Sequence, residues 1–440
     1  MALKSRTEVS QYPGGGPLAA LQALGELPAS WRRDQALPFR VKVNSHVHVP
    51  PNFSAFHTVG EAVQMAAEQD VRVLGVSNYY DFGAYGSLAE LSMSMGVFPL
   101  FGLEVVCLLE NLLHSGVRVN DPGNPGKMYL CGKGITRFAP MDAAAATLMD
   151  TVRRIDSDRI ANMIDKLNGV FAASGVKTSV TEESVKAAVV TRHGVPADTV
   201  YLQERHVAQA FQEALFALVP IASRPDALLS LFHANPGANL DSVSVQDAIR
   251  ANLMKAGKPG YVNEAFVGFD HAFQLVLALG GVPCYPVLAD GARPMCEFEE
   301  SIERLVLSLK QRRIHCAELI PNRNTPEVLG AYARALRAAG ITVLAGTEHN
   351  TLDLIPIEPR CAGGIPVPDP LKDIFWEGAC VIAAHQFRMA NGRGGYIDGD
   401  GELNPSYPAD EVRIEAFAQL GATVIKEYAQ PTGAHDISPR

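Results

Sequence analysis

The chain has 440 residues, 47% of them hydrophobic and 19% charged, so it can bury a large core and does not resemble a disordered or low-complexity protein. A formal charge of -9 offers no basic excess to offset phosphate charge, which argues against general nucleic-acid binding. The seven cysteines are scattered and form no Cys-x-x-Cys pair, Met1 to Pro28 lacks the unbroken apolar run of a secretion signal, and no later stretch is long enough to span a bilayer; the expectation is a cytoplasmic protein with reduced thiols and no membrane partner.

The first strand signal is Arg40 to Val43, running into Asn44-Ser45-His46-Val47-His48 and stopped by Pro50-Pro51. A strand repeats every two residues, so His46 and His48 share a face and can hold one metal ion. Thr58-Val59-Gly60-Glu61 has the spacing of a helix capping box, and Ala62, Val63, Ala66 and Ala67 follow at helical spacing. A strand over Val71 to Val76, a helix over about Ser87 to Met95 closed by Gly96, and a strand over Val97 to Val106 ending near Glu104 come next. This rhythm predicts parallel strands with right-handed crossovers. After the turns of Asp121 to Gly126, Met128 to Ile135 reads as a fourth strand.

Residues 141–260 are alanine-rich and helical, an insertion between two halves of one fold. The rhythm then returns with a helix over His271 to Leu279, a strand over Val282 to Leu288 and a helix over Glu299 to Arg313. A strand over Ile314 to Ile320, a helix over Pro326 to Ala339 and a strand over Ile341 to Ala345 complete it. Asp369 to Ala390 reads as one long helix, followed by a glycine-rich loop and a last helix near Ala409 to Leu420. Seven strands suit a closed (β/α) barrel, whose chemistry sits at the C-terminal strand ends, where His48, Glu104 and Glu348 fall. No glycine-rich phosphate loop and no dinucleotide fingerprint is present.

Several segments together resemble the polymerase and histidinol phosphatase (PHP) family of metal-dependent phosphoesterases. Asn44 to His48 with Phe53-Ser54 is similar to its opening motif, Val71 to Asp81 to a strand with Thr-Asp-His, and Phe101-Gly102-Leu103-Glu104 to the strand ending in a metal-bridging glutamate. Gly280 to Pro286 is similar to the segment ending in His-Pro, and Leu344 to Asn350 to the closing Gly-Ser-Asp-x-His. The resemblance implies an α/β fold, a distorted (β/α)7 TIM-like barrel with a helical insertion. Its parts would be an N-terminal extension (1–38), the first part of the barrel (39–140), the insertion (141–260), the second part of the barrel (261–350) and a C-terminal helical segment completing it (351–440).

Family members commonly bind three metals, yet Tyr79, Tyr129, Tyr285 and Asn350 stand where the motifs call for histidine, and neutral phenols and amides are poor ligands for divalent transition metals. The first metal position maps onto His46, His48, Glu104 and Glu348, which implies one divalent ion, Zn, Mn or Fe. The expected activity is hydrolysis of a small phosphorylated metabolite by one metal-activated water. Lys133, Arg323, Tyr79 and Asp290 are the candidate substrate contacts, with Arg118 and Tyr80 weighed beside them; His57, His349 and Tyr285 are the candidate catalytic groups. A mononuclear lyase, aldolase or amidohydrolase-type reaction on a carbonyl compound, and a non-catalytic metal- or ligand-binding relative, stand as alternatives. The remaining histidines lack ligand spacing and read as structural, with His385 the foremost exception.

Overall fold

The computed structural model describes residues 16–25, 39–263 and 265–429. Most of the 1–38 extension, and His435, lie outside them. The extension contributes one short helix, α1 (Ala19–Ala23), with Leu21 buried.

Strand β1 (Lys42–Val47) leads through helix α2 (Val59–Glu68) to β2 (Val71–Val76), and α3 (Tyr85–Ser94) leads to β3 (Phe98–Leu108). The capping signal at α2 is real: Thr58 Oγ1 accepts the Glu61 backbone N–H at 3.1 Å, and Ala62, Val63 and Ala66 are buried. The first three strands pair in parallel, as the rhythm predicts.

The next strand departs from it. The chain passes through α4 (Glu110–His114) into β4 (Lys127–Lys133), which runs antiparallel to both of its neighbours. A five-residue helix rises only about 7.5 Å, too little to carry the chain back along the 11-residue β3. The link therefore turns the chain around instead of crossing over. Because β3 goes on pairing with β4 from Gly102 to Leu108, it extends beyond its expected end, and Glu104 lies within it rather than at its tip.

Helices α5 (Ala143–Ala173), α6 (Glu182–His193), α7 (Glu204–Leu218), α8 (Arg224–Phe232) and α9 (Ser242–Ile249) follow, and α9 runs directly into a π-helical turn (Arg250–Met254). They gather around an apolar cluster of their own, including Ile160, Leu167, Phe171, Phe211 and Leu231. The chain returns to the sheet with β5 (Val267–Gly268), which adds to β3. It continues through α10 (Phe269–Ala278), β6 (Val282–Val287), α11 (Ile302–Gln311), β7 (Cys316–Leu319), α12 (Pro326–Ala338) and β8 (Thr342–Ala345). The sheet order is β1-β2-β3-β4-β6-β7-β8. Its ends meet where Thr347 N donates to His46 O at 3.1 Å and His48 N donates to Glu348 O at 2.8 Å. The result is a nearly closed, mostly parallel, TIM-like barrel ringed by helices.

After a small ladder of β9 (Arg360–Cys361) and β10 (Ile365–Pro366), α13 (Asp369–Ala390) packs on β8, β1 and the final helix α14 (Asp410–Tyr428). That last helix runs eight residues past its expected end at Leu420, because Ala422, Val424, Ile425 and Tyr428 continue its buried face. Among the described residues, no single helix is long and apolar enough to cross a membrane.

The turn after β6 is pinned by a buried carboxyl. Glu299 accepts hydrogen bonds from Tyr285 Oη (2.9 Å), Leu288 N (3.1 Å) and Ala289 N (2.7 Å). Burial pushes its pKa up to about 7, the hydrogen bonds opposing this only in part. A folded-state pKa above the usual 4.5 means that the folded chain favours the protonated form. Stability linked to this proton is then present below about pH 4.5 and is lost as pH rises toward 7, by roughly 3 kcal/mol for one such group. In urea denaturation, wild type should lose stability relative to Glu299→Gln between pH 4.5 and pH 7; parallel pH profiles for the two proteins would contradict this assignment.

Candidate metal centre

His46 and His48 leave β1 on one face, as the strand period requires, and Glu104 reaches them from β3. His48 Nε2 stands 3.0 Å and His46 Nε2 3.4 Å from Glu104 Oε2, all three side chains being buried. Neither approach has hydrogen-bond geometry: His46 Nε2, His48 Nε2 and Glu104 Oε2 are buried with no hydrogen-bond partner. Buried polar atoms left in this way are costly unless something binds them. The three donors lie close enough together to hold one metal ion.

Behind them runs a chain of charges. Glu318, on β7, accepts from His46 Nδ1 at 2.6 Å and from Lys133 Nζ at 2.8 Å, with Ser45 Oγ 2.7 Å away. Burial opposes a charge on Glu318, but the Lys133 ammonium and His46 hold its pKa down to about 2, so Nδ1 of His46 must be the donor. That points Nε2 toward Glu104 and His48, the arrangement that carboxylates impose on metal-ligating histidines. Against burial and Lys133, Glu318 also holds the His46 pKa well above its usual value, so a cation binding there has to displace the Nε2 proton. Burial lowers the pKa of His48, keeping it neutral, and its ring stacks on Tyr79 with centroids 5.2 Å apart. Gly346 makes the packing feasible, since a Cβ there would lie 2.4 Å from His46 Cβ.

A second grouping, His46, Cys131 and Glu318, also has ligating atoms within reach of one another. Two facts weigh against it. The Lys133 ammonium already supplies a cation to Glu318, and burial pushes the Cys131 thiol up to about 11, which keeps it protonated.

Glu104 brings the cluster to a cavity of about 500 Å³ between the barrel mouth and the helices of 141–260, whose lining does not include His46 or His48. Glu104, Tyr79, Tyr129, Arg323, Glu348 and Asn350 line it from the barrel. Left-handed backbone at non-glycine residues follows three of the strands, at Tyr80 after β2, Ala289 after β6, and Glu348 and His349 after β8, and of these Tyr80 and Glu348 line the cavity. Such conformations concentrate where strand ends are bent to aim side chains.

Several expected roles need correction. Glu348 does not join the histidines; its Oε2 accepts from Arg323 Nη2 and, at 3.0 Å, from Asn350 Nδ2. The expected quartet of donors is therefore a trio, with Glu348 turned to the guanidinium. Lys133 is buried beneath the cluster, bonded to Glu318, Ser45 O and Ser77 Oγ, and does not face the cavity. Asp290 accepts from Asn324 Nδ2, Thr325 N and Thr325 Oγ1, so it fastens the start of α12. Tyr285 donates to Glu299 away from the cavity.

His57 is exposed and outside the cavity lining. His349 stacks on Phe56, and its nitrogens meet Thr347 Oγ1 at 2.7 Å and Ile355 O at 3.0 Å. Burial pushes its pKa down to about 4. His385 is likewise a structural group, between Gly280 O and Tyr396 N, while Arg118 pairs with Glu297 outside the cavity. Of the expected contacts, Tyr79, Tyr80 and Arg323 do line it, and Tyr79, Tyr80 and Tyr129 are kept neutral by burial.

Glu318 was the residue the motifs missed. Its signal was a lone carboxylate within the apolar run Ile314 to Ile320, a strand buried on both faces, where a charge needs a dedicated partner.

No protein-family model matches the chain, and no curated protein matches it. Solved structures do. A metal-dependent phosphoesterase, so described, from Bifidobacterium adolescentis superposes with a TM-score of 0.50 at 15% identity over 76% of this chain and 96% of that one. An amidohydrolase from Chromobacterium violaceum, with bound sulfate and no metal, gives 0.48 at 18% identity over the same shares. At such identities the likeness is one of fold.

Replacing Glu318 by glutamine removes the charge that balances Lys133 while keeping the size. The expected loss of folding stability is about 3 kcal/mol or more, as for one partner of a buried ion pair. Equilibrium urea denaturation checks it; a change below about 1 kcal/mol would mean that the pair does not bear on the fold.

Proposed function

We propose that the protein is a metal-dependent phosphoesterase that hydrolyses a small phosphorylated metabolite, with one divalent ion, Zn, Mn or Fe, held by His46, His48 and Glu104. The observation that carries this reading is the set of three buried donor atoms without partners, of which Glu104 lines a cavity of metabolite size. Two imidazoles and one carboxylate make up the three-ligand set of catalytic sites, which leaves positions free for water and substrate. When bound, the ion would supply a Lewis acid for a phosphoryl oxygen and lower the pKa of water.

The other roles belong to the chain. Glu318 holds the Nδ1–H of His46 and so leaves Nε2 as the ring atom that would meet the ion once its proton is displaced. Arg323, set by Glu348 on the cavity wall, presents a planar cation suited to paired phosphoryl oxygens. Tyr79, a neutral phenol beside Glu104, offers a proton donor to a substrate oxygen.

The test is metal analysis joined to a substrate screen. Purified protein should carry about one equivalent of a divalent transition metal, and His46→Ala and Glu104→Gln should each lose it together with about a hundredfold or more of phosphomonoester turnover. Turnover that persists in Glu104→Gln would contradict the reading, and turnover confined to amides or sugar-derived carbonyl compounds would reassign the reaction.

A further inference from the structure

The charged residues that 141–260 sends into the cavity fall into two sets. In one, every charge is closely matched: Arg159 meets Asp156 and Glu204 at 3.0 Å each, and Lys255 meets Glu204 at 3.3 Å. In the other, Arg205 from α7 and Arg250 from the π-helical turn share a single carboxylate, Asp247, at 3.6 and 3.7 Å. Both distances lie beyond hydrogen-bonding range. Asp247 is also half exposed, so its charge is screened by solvent.

Neither guanidinium hydrogen-bonds to another described side chain, and Arg250 Nε is buried with no partner. Arg323 faces the same space from the barrel, bonded on one side to Glu348. Burial and the nearby Arg250 push Arg205 down to about 10, Asp247 opposing and Arg323 adding to the effect, a sign that cations are crowded here. Arg205 and Arg250 thus share one half-exposed carboxylate at the cavity, with donors unused, while Glu204, which also feels the Arg250 charge, is held by Arg159 and Lys255. The π-helical geometry that carries Arg250 is itself frequent at functional sites.

We propose that Arg205 and Arg250 form an anion subsite for a second oxyanion group of the substrate, a phosphate or a carboxylate, distinct from the phosphoryl group that meets Arg323 and the His46, His48 and Glu104 cluster. This deepens the phosphoesterase reading and rests on it for the first phosphoryl group. The charges grouped around Arg205 are Arg250, Asp247, Arg323 and Glu348, none of which belongs to the metal cluster, so the subsite and the cluster are separate recognition points. A substrate with a single charged end would leave Arg250 Nε unfilled. One with two would satisfy both.

Calorimetric titration of the full chain with glycerol phosphate, phosphoglycerate and glycerol bisphosphate separates the cases. The expected result is binding about ten- to a hundredfold tighter for a compound with a second anion than for glycerol phosphate, the gain of a charge-assisted contact. A gain with phosphoglycerate identifies a carboxylate as the second group, and one with the bisphosphate a phosphate.

The double variant Arg205→Gln, Arg250→Gln should close that gap. Arg205→Lys with Arg250→Lys, which keeps the charge, should retain part of it, and matching thermal melts establish that both variants fold. Equal affinity for all three compounds in wild type overturns the proposal, as does a gap that survives in the glutamine variant. A uniform loss across all three compounds also overturns it, since the arginines would then hold the reacting phosphoryl group. Because binding is read without turnover, a chain that hydrolyses none of the compounds yet shows the gap keeps the subsite and loses the phosphoesterase reading.

Discussion

The buried ion pair between Lys133 and Glu318 sets the terms for everything at the barrel mouth. Two charges inside an apolar barrel are expensive to bring there, and such a pair adds little net stability over a well-packed apolar one. Its effect is on geometry. With one oxygen taken by Lys133, Glu318 turns the other to Nδ1 of His46, and that contact decides which nitrogen of His46 is free. The free nitrogen joins two more unpartnered atoms, His48 Nε2 and Glu104 Oε2. A cation-shaped need is thus transmitted from the interior of the barrel, across β4, β7 and β1, to its rim.

The rim is made by departures from regular barrel geometry. β4 runs against its neighbours, which prolongs β3 and leaves Glu104 inside a strand, at the level of Tyr79, with its backbone N–H on Asn78 O. Beyond β8 the chain holds two consecutive residues, Glu348 and His349, in left-handed conformation. Glu348 is turned toward Arg323 in this way, and His349 toward Phe56 and Ile355. The helices of 141–260 then roof the space with charges of both signs, most of them matched.

Much of this was legible in the residues, for identifiable reasons. The histidine pair was readable because strand periodicity is local, and the 22-residue α13 because prolines at its start and Asn391-Gly392 after its end bound an apolar stretch. Glu104 was readable only through a motif in register with a strand. The antiparallel β4 was not, since hydrophobic alternation carries no direction; only the weakness of α4 hinted at a reversal. Glu348 misled because its place in the closing motif suggested a ligand, whereas its orientation depends on Arg323, 25 residues away and across the rim. Arg205 and Arg250 sit in helices whose sequence looks like ordinary solvated surface, and only their meeting over the cavity distinguishes them.

The account stands on a cation held by two imidazoles and one carboxylate, and on the rejection of the neighbouring grouping that contains Cys131. X-ray absorption fine structure at the zinc edge, on protein loaded with one equivalent of zinc, tests both at once. The prediction is a first shell of nitrogen and oxygen at about 2.0–2.2 Å with the outer-shell signature of two imidazoles. A sulfur scatterer near 2.3 Å would place the ion at Cys131 instead and contradict the account.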